Sequence, residues 1–159
     1  MKVWRKTLEV SGYAVNSGSI LMFIYLVSTF EITDGLRSLR YIGWVLIIFG
    51  FSLMVLSILS LFRNKGAGLI EGGVYGIVRH PMYLGAMLCF LSFVFFFPHW
   101  LSPFISSADI AIIFWFILEE EKQDRIRFGK VYEQYVKTVP GINLSAGIYR
   151  RLRSKRCPD

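Results

Sequence analysis

Charge is scarce in this chain of 159 residues: Asp, Glu, Lys and Arg together make 18%, against 54% hydrophobic and 16% aromatic residues. One water-soluble core of this size could not bury so much apolar side chain, so the composition excludes an ordinary soluble domain and points to a membrane as solvent. Cysteine is nearly absent. Cys89 lies inside an apolar run and Cys157 in a basic terminal stretch, which offers no disulfide framework. Cys157 is third from the end, whereas a prenylation box places its cysteine fourth. No small-residue cleavage site closes the basic-then-apolar opening, so residues 1–30 read as a retained helix and not as a signal peptide. No internal repeat, low-complexity stretch or metal-ligating set is found, and a single domain over 1–159 is expected.

Long uncharged runs are what the chain does have. Residues 41–62 carry no charge and suffice, at roughly 1.5 Å per residue, to cross a hydrocarbon core of about 30 Å. Residues 10–30 form a second run, made more polar by Asn16, Ser17, Ser19, Ser28 and Thr29, with Gly12 and Gly18 allowing another helix to approach. Residues 82–97 and 102–118 read as a helical hairpin closed by "PHWLSP", with Pro98 and Pro103 about the turn and His99 and Trp100 suited to an interface. The expected fold is all-α: a polytopic membrane bundle of about four transmembrane helices, followed by an amphipathic cytoplasmic helix.

Cations are distributed unevenly. Three fall in the first six residues, three between Arg63 and Arg79, and ten from Lys122 onward, while Arg37 and Arg40 alone occupy the other side. The positive-inside rule puts both termini and the 63–80 loop in the cytoplasm. The net charge of +7 needs no nucleic acid, since juxtamembrane cations favour anionic headgroups. The short loops suit a prokaryotic cell membrane.

Two stretches on that side carry chemistry, residues 63–83 and 119–140, ahead of a basic tail at 141–159. In the first, Gly66, Gly68, Gly72, Gly73 and Gly76 lead into Arg79-His80-Pro81 at the threshold of an apolar run. Pro81 suits the first turn of a helix, and Arg79 and His80 then sit at its N-terminus, where a carboxylate or phosphate is favoured. The alternative is that Arg79 snorkels to headgroups and His80 merely caps the span. In the second stretch, Glu119, Glu120 and Glu121 stand where the last span ends, which the helix dipole disfavours unless the helix continues. Phe128, Val131, Tyr132, Tyr135 and Val139 recur at helical spacing, so an amphipathic helix is expected there, either packed on the bundle or bound to lipid headgroups. Asp109, Ile113, Phe116 and Glu120 trace one stripe; Asp109 either lines a path from bilayer to site or is a carboxyl satisfied by a neighbouring span.

Taken together, "GGVYGIVRHPMYLG" and the later "EE", "FG", "Y..Y" and "VP" resemble the integral-membrane methyltransferases that include isoprenylcysteine carboxyl methyltransferase and the phospholipid N-methyltransferases. The resemblance covers roughly residues 41–140. It implies S-adenosylmethionine bound on the cytoplasmic side by Leu69, Ile70, Tyr75, His80, Pro81, Met82 and Tyr83, and a lipid-like acceptor entering from the bilayer. It places acceptor chemistry at Glu120, with Glu121 second in the pair and Glu119 outside it. Carboxyl methyltransferases of this kind carry an arginine one turn before the first glutamate; Phe116 stands there, leaving Arg79 to meet an acceptor carboxylate. Asp124 replaces the usual leucine, and "GINLSAG" follows Val139-Pro140 without a second proline. An amine acceptor would instead need a base, Glu120 or Glu121. Membrane sterol reductases, which use a nicotinamide cofactor, share an HPxY-type step and form the alternative enzyme class; a non-enzymatic lipid-tuning bundle is the third reading.

Overall fold

A computed structural model describes residues 2–29, 38–64 and 68–156. Phe30, Arg37, Gly66 and Cys157 lie outside the described residues, as do the side chains of the first cations of the chain. Six α-helices are present among the described residues: α1 (Lys2–Thr29), α2 (Leu39–Arg63), α3 (Pro81–Phe96), α4 (Leu101–Phe128), α5 (Lys130–Thr138) and α6 (Leu144–Arg156), with a 3-10 turn at Gly73–Gly76. The expected helical class is therefore met.

Two of these, α2 and α4, are long and apolar enough to cross a membrane, and Val10–Leu26 within α1 and the whole of α3 are shorter apolar stretches. The reason is length: the 16 residues of α3 reach roughly 24 Å at about 1.5 Å each, short of a ~30 Å core. In α2, only 17% of the most apolar window is buried within the protein. Trp44, Val45, Ile48, Phe51 and Phe62 are exposed around its circumference, as expected of a helix that is apolar all round and solvated by lipid.

The chain packs as two compact units, each made of two separate segments. The first joins Met1–Gly50 to Ala86–Phe116. Phe23, Leu26, Phe90, Phe97 and Ile113 are buried in it, and the rings of Phe23 and Phe93 stack at 4.4 Å. Small and hydroxylated residues let its helices close. A Cβ on Gly12 would come within 2.6 Å of the Phe116 ring, and the buried Ser106 hydroxyl donates to the Phe90 carbonyl at 2.9 Å. Ser102, in the first turn of α4, donates to the Phe97 carbonyl at 2.6 Å and so fixes the predicted α3–α4 turn. Asp109 is wholly buried, and Ser19 of α1 donates to its Oδ1 at 2.9 Å. One carboxyl oxygen thus has the serine partner foreseen in the second of the two readings above, while the buried Oδ2 has no partner among the described residues. A double-mutant cycle on Ser19→Ala and Asp109→Ala, read from thermal unfolding in detergent, should give a coupling of about 0.6 kcal/mol and at most roughly 2 kcal/mol; additive losses would dissolve the clamp.

The second unit joins Phe51–Gly85 to Ile117–Asp159. Two corrections to the sequence reading arise here. The helix that continues past 118 ends at Phe128, ten residues beyond the apolar run, because Glu119 to Gln123 are good helix formers. Gly129 then breaks it at φ +54, a conformation that favours glycine, and α5 starts afresh, so the amphipathic face at 128–139 belongs to a separate short helix. The glutamates lie inside α4, in line with the expectation that the helix continues past 118; the correction is its end at Phe128. The stretch 141–159 is no simple tail either, since Leu144–Arg156 is helical.

Candidate functional site

Site assembly begins with two backbone hydrogen bonds. The Arg79 N–H donates to the Pro140 carbonyl at 2.9 Å and the His80 N–H to the Gly141 carbonyl at 3.1 Å. This pairing holds "VPG" against "RH", so the amides of Arg79 and His80 are already taken and are not among the free N–H groups of the helix end. Pro81 opens α3 as its fixed φ and missing N–H allow, and Leu84 donates the first intrahelical bond, to His80 at 3.0 Å. An anion at this end would therefore meet the amide of Met82.

α5 closes over the glycine-rich loop. Its buried face, Tyr132 and Tyr135 with Val139, packs on Leu69, Phe128 and Val136. The Tyr135 hydroxyl donates to the Tyr75 carbonyl at 2.6 Å, tying α5 to the 3-10 turn. α6 supports the same turn from its own side: Arg150 donates to the Gly76 carbonyl at 2.6 Å, and Gly147 lies so close to Ile77 that any Cβ would collide with its carbonyl.

Between these elements lies an open cavity of about 190 Å³. Every residue that the resemblance assigned to the cofactor lines it: Leu69, Ile70, Tyr75, His80, Pro81, Met82 and Tyr83. Arg79 and Glu120 line it too. Glu121 does not; it sits behind them, with its Oε1 2.7 Å from Arg79 Nη1 and 3.2 Å from His80 Nε2. Leu61, Asp124, Phe128, Tyr132 and Tyr135 also line the cavity without having been singled out as site residues. Phe128, Tyr132 and Tyr135 were visible as an apolar stripe, but nothing in a stripe says what it covers.

Electrostatics divide the site into two halves. Burial pulls the His80 imidazole below its ordinary range, against the raising effect of the Glu121 hydrogen bond. His80 is therefore a neutral ring that donates from Nε2 to the Glu121 carboxylate. Its lone pair is then on Nδ1, 3.8 Å from Glu120 Oε2. Burial pushes the Glu120 carboxyl up, with Tyr83 partly offsetting it and Asp124 adding to it. Asp124 is likewise raised, first by burial. Tyr132 is pushed up to about 12, again mainly by burial, and stays a neutral donor. Arg79 is paired with Glu121, so an acceptor carboxylate, the partner expected for it, would meet a cation that already has one carboxylate beside it. Its buried Nε has no acceptor among the described residues. Phe116, at the position where an arginine was missed, is buried and stacks on Tyr13 at 5.0 Å.

No solved structure matches the chain. Protein-S-isoprenylcysteine O-methyltransferase of Schizosaccharomyces pombe is 35% identical over 83 residues, covering 49% of this chain and 34% of that relative. The chain thus spans about a third of the curated relative it matches. Residues 17–134 match the phospholipid methyltransferase family, a region that holds the RHP step, both glutamates and most of α5. On that match, the chain belongs to the phospholipid methyltransferase family.

Proposed function

We propose that the protein transfers a methyl group from S-adenosylmethionine to the amine of an aminophospholipid at the cytoplasmic face of the membrane. The reading includes a single membrane domain with four spans, about 10–30, 41–62, 82–97 and 102–118, both termini cytoplasmic, in a prokaryotic cell membrane. The observation that carries it is one cavity in which a buried guanidinium N–H of Arg79 lacks an acceptor while Glu120 and Asp124 supply carboxyl groups. A buried donor of this kind calls for a hydrogen-bond acceptor, of which a carboxylate is the strongest. S-adenosylmethionine fits that demand with its carboxylate, and its adenine suits the aromatic walls of Tyr75, Tyr83 and Phe128. The cavity is smaller than the ~300–1,000 Å³ of ligand-sized clefts, so an occupant of this size extends past the rim or displaces the Tyr132–Tyr135 face.

Bound there, S-adenosylmethionine supplies the electrophilic methyl of a sulfonium. The chain's own residues do the rest by position and charge. Arg79, held by Glu121, anchors the anionic end. His80, Pro81, Met82 and Tyr83 form the floor at the start of α3. Glu120, with its raised pKa and its place on the cavity wall, takes the proton that an ammonium acceptor must lose before it can attack.

An amine acceptor is preferred over a prenylcysteine carboxylate because Arg79 is already paired with Glu121, its remaining N–H is assigned to the cofactor carboxylate, and Glu120 and Asp124, once ionised, favour a cation over a second anion. The family match also favours this reaction over the nicotinamide-dependent alternative. The test is binding of S-adenosylmethionine and of NADPH, in parallel, to detergent-solubilised protein, followed by labelled methyl transfer to phosphatidylethanolamine or to a farnesylated cysteine. Only S-adenosylmethionine should bind, Arg79→Lys should weaken it about tenfold by losing the planar fork, and label should enter phosphatidylethanolamine. Exclusive binding of NADPH sinks the reading; label in the cysteine ester alone sinks the amine.

A further inference from the structure

α6 presents its amphipathic character inside out. The face turned toward the protein consists of Gly147, buried against Ile77, and Arg150, bonded to the Gly76 carbonyl. The opposite face carries the large apolar side chains: Ile148 is exposed, and Tyr149 and Leu152 are 67% and 64% exposed. These three fall on one stripe at i, i+1 and i+4 spacing. A soluble surface helix would put them inward. The stripe lies in a basic stretch of sequence: five of the seven residues from Arg150 to Arg156 are Lys or Arg, and 144–156 contains no acid. Lys137, Thr138 and Arg150 also line a shallow recess beside the 3-10 turn, with Glu71 at its edge.

We infer that α6 is an interfacial helix whose exposed Ile148–Tyr149–Leu152 stripe inserts into the headgroup region of a bilayer containing anionic phospholipid, with its cations on the phosphates. Three features select this occupant over another protein. The charge is of one sign and dense, which complements an anionic surface. An apolar stripe ending in an aromatic with a polar tip matches the headgroup boundary. The same chain carries α2, which already requires lipid, so a bilayer stands near α6 at high effective concentration without any second macromolecule. Anionic lipid thereby bears on the site's own scaffold, because α6 holds the Gly73–Gly76 turn from which Tyr75 enters the cavity.

Hydrogen exchange of the full chain, one copy per nanodisc, tests this without reference to catalysis. Amides of 144–153 should exchange about tenfold more slowly in discs containing phosphatidylglycerol than in pure phosphatidylcholine. High salt should remove most of that difference, and Ile148→Asp with Leu152→Asp should abolish it while α3 keeps its protection. Should the double variant also lose protection over 81–96, the salt arm on the unaltered chain decides. Equal protection in both kinds of disc overturns the inference. So does protection that appears only with two copies per disc, which would assign the stripe to a second chain.

Discussion

Glu120→Gln should abolish most turnover, by about 10²- to 10⁴-fold, while leaving the fold no less stable at neutral pH. The sign follows from the raised carboxyl. Because burial lifts the Glu120 pKa above its unfolded value, the folded chain holds a proton that the unfolded chain has released. Stability is then highest below the unfolded pKa and declines as pH rises through the folded one. Glutamine mimics the protonated form at every pH, so the variant should escape that decline. Its melting temperature at pH 7 should equal or exceed that of the parent, the signature of a group kept for activity at the expense of stability. The parent's rate should fall on the acid side with the ionisation of this base, and the residual rate of the variant should be flat from pH 6 to 8. Unchanged kcat in Glu120→Gln would remove the base from the mechanism, and a flat parent profile would return the acceptor to a carboxylate.

Glu121→Ala should have the opposite profile, with the greatest loss of stability of any single change in the site. Arg79 and Glu121 side chains are 11% and 18% exposed and 2.7 Å apart. Removing one partner strands a charge where water reaches it poorly, which costs about 3–5 kcal/mol. It also removes the acceptor that orients His80 Nε2. Glu121→Gln keeps an acceptor for both partners and should lose less. In an Arg79→Ala background, Glu121→Ala should cost far less than alone, because no stranded cation remains. Denaturant unfolding in mixed micelles measures all four states of that cycle. Additive losses would mean that the ion pair is decorative, and Glu121 would revert to a solvated surface acid.

The unequal fates of the two glutamates were only half legible in the sequence. The pocket-lining residues between Leu69 and Tyr83 could be read because that motif is local: glycines, then His80-Pro81, then an apolar helix; the contact of Glu121 with Arg79 and His80, some forty residues away, was not foreseen. Which glutamate faces the cavity and which stands behind it depends on the rotation of α4, and adjacent residues on a helix differ by about 100°. The apolar helices were legible as uncharged runs, and so was the continuation of α4 past 118, but its end at Phe128 was not, since the amphipathic spacing from Phe128 to Val139 runs on across Gly129. α6 escaped notice for a sharper reason. Hydrophobic periodicity finds a core face, and in α6 the residues facing the protein are a glycine and an arginine.

The two backbone bonds that join Arg79 to Pro140 and His80 to Gly141 also set a timetable for biosynthesis. Spans can enter the bilayer as the ribosome delivers them, yet the RHP step has no partners for its amides until residues 140 and 141 have emerged. The closure is distant in sequence and therefore late. A nascent chain halted before that point would be inserted, helical and without a floor to its cavity. The cavity floor is thus closed only after residues 140 and 141 have left the ribosome, later than the helices that it joins.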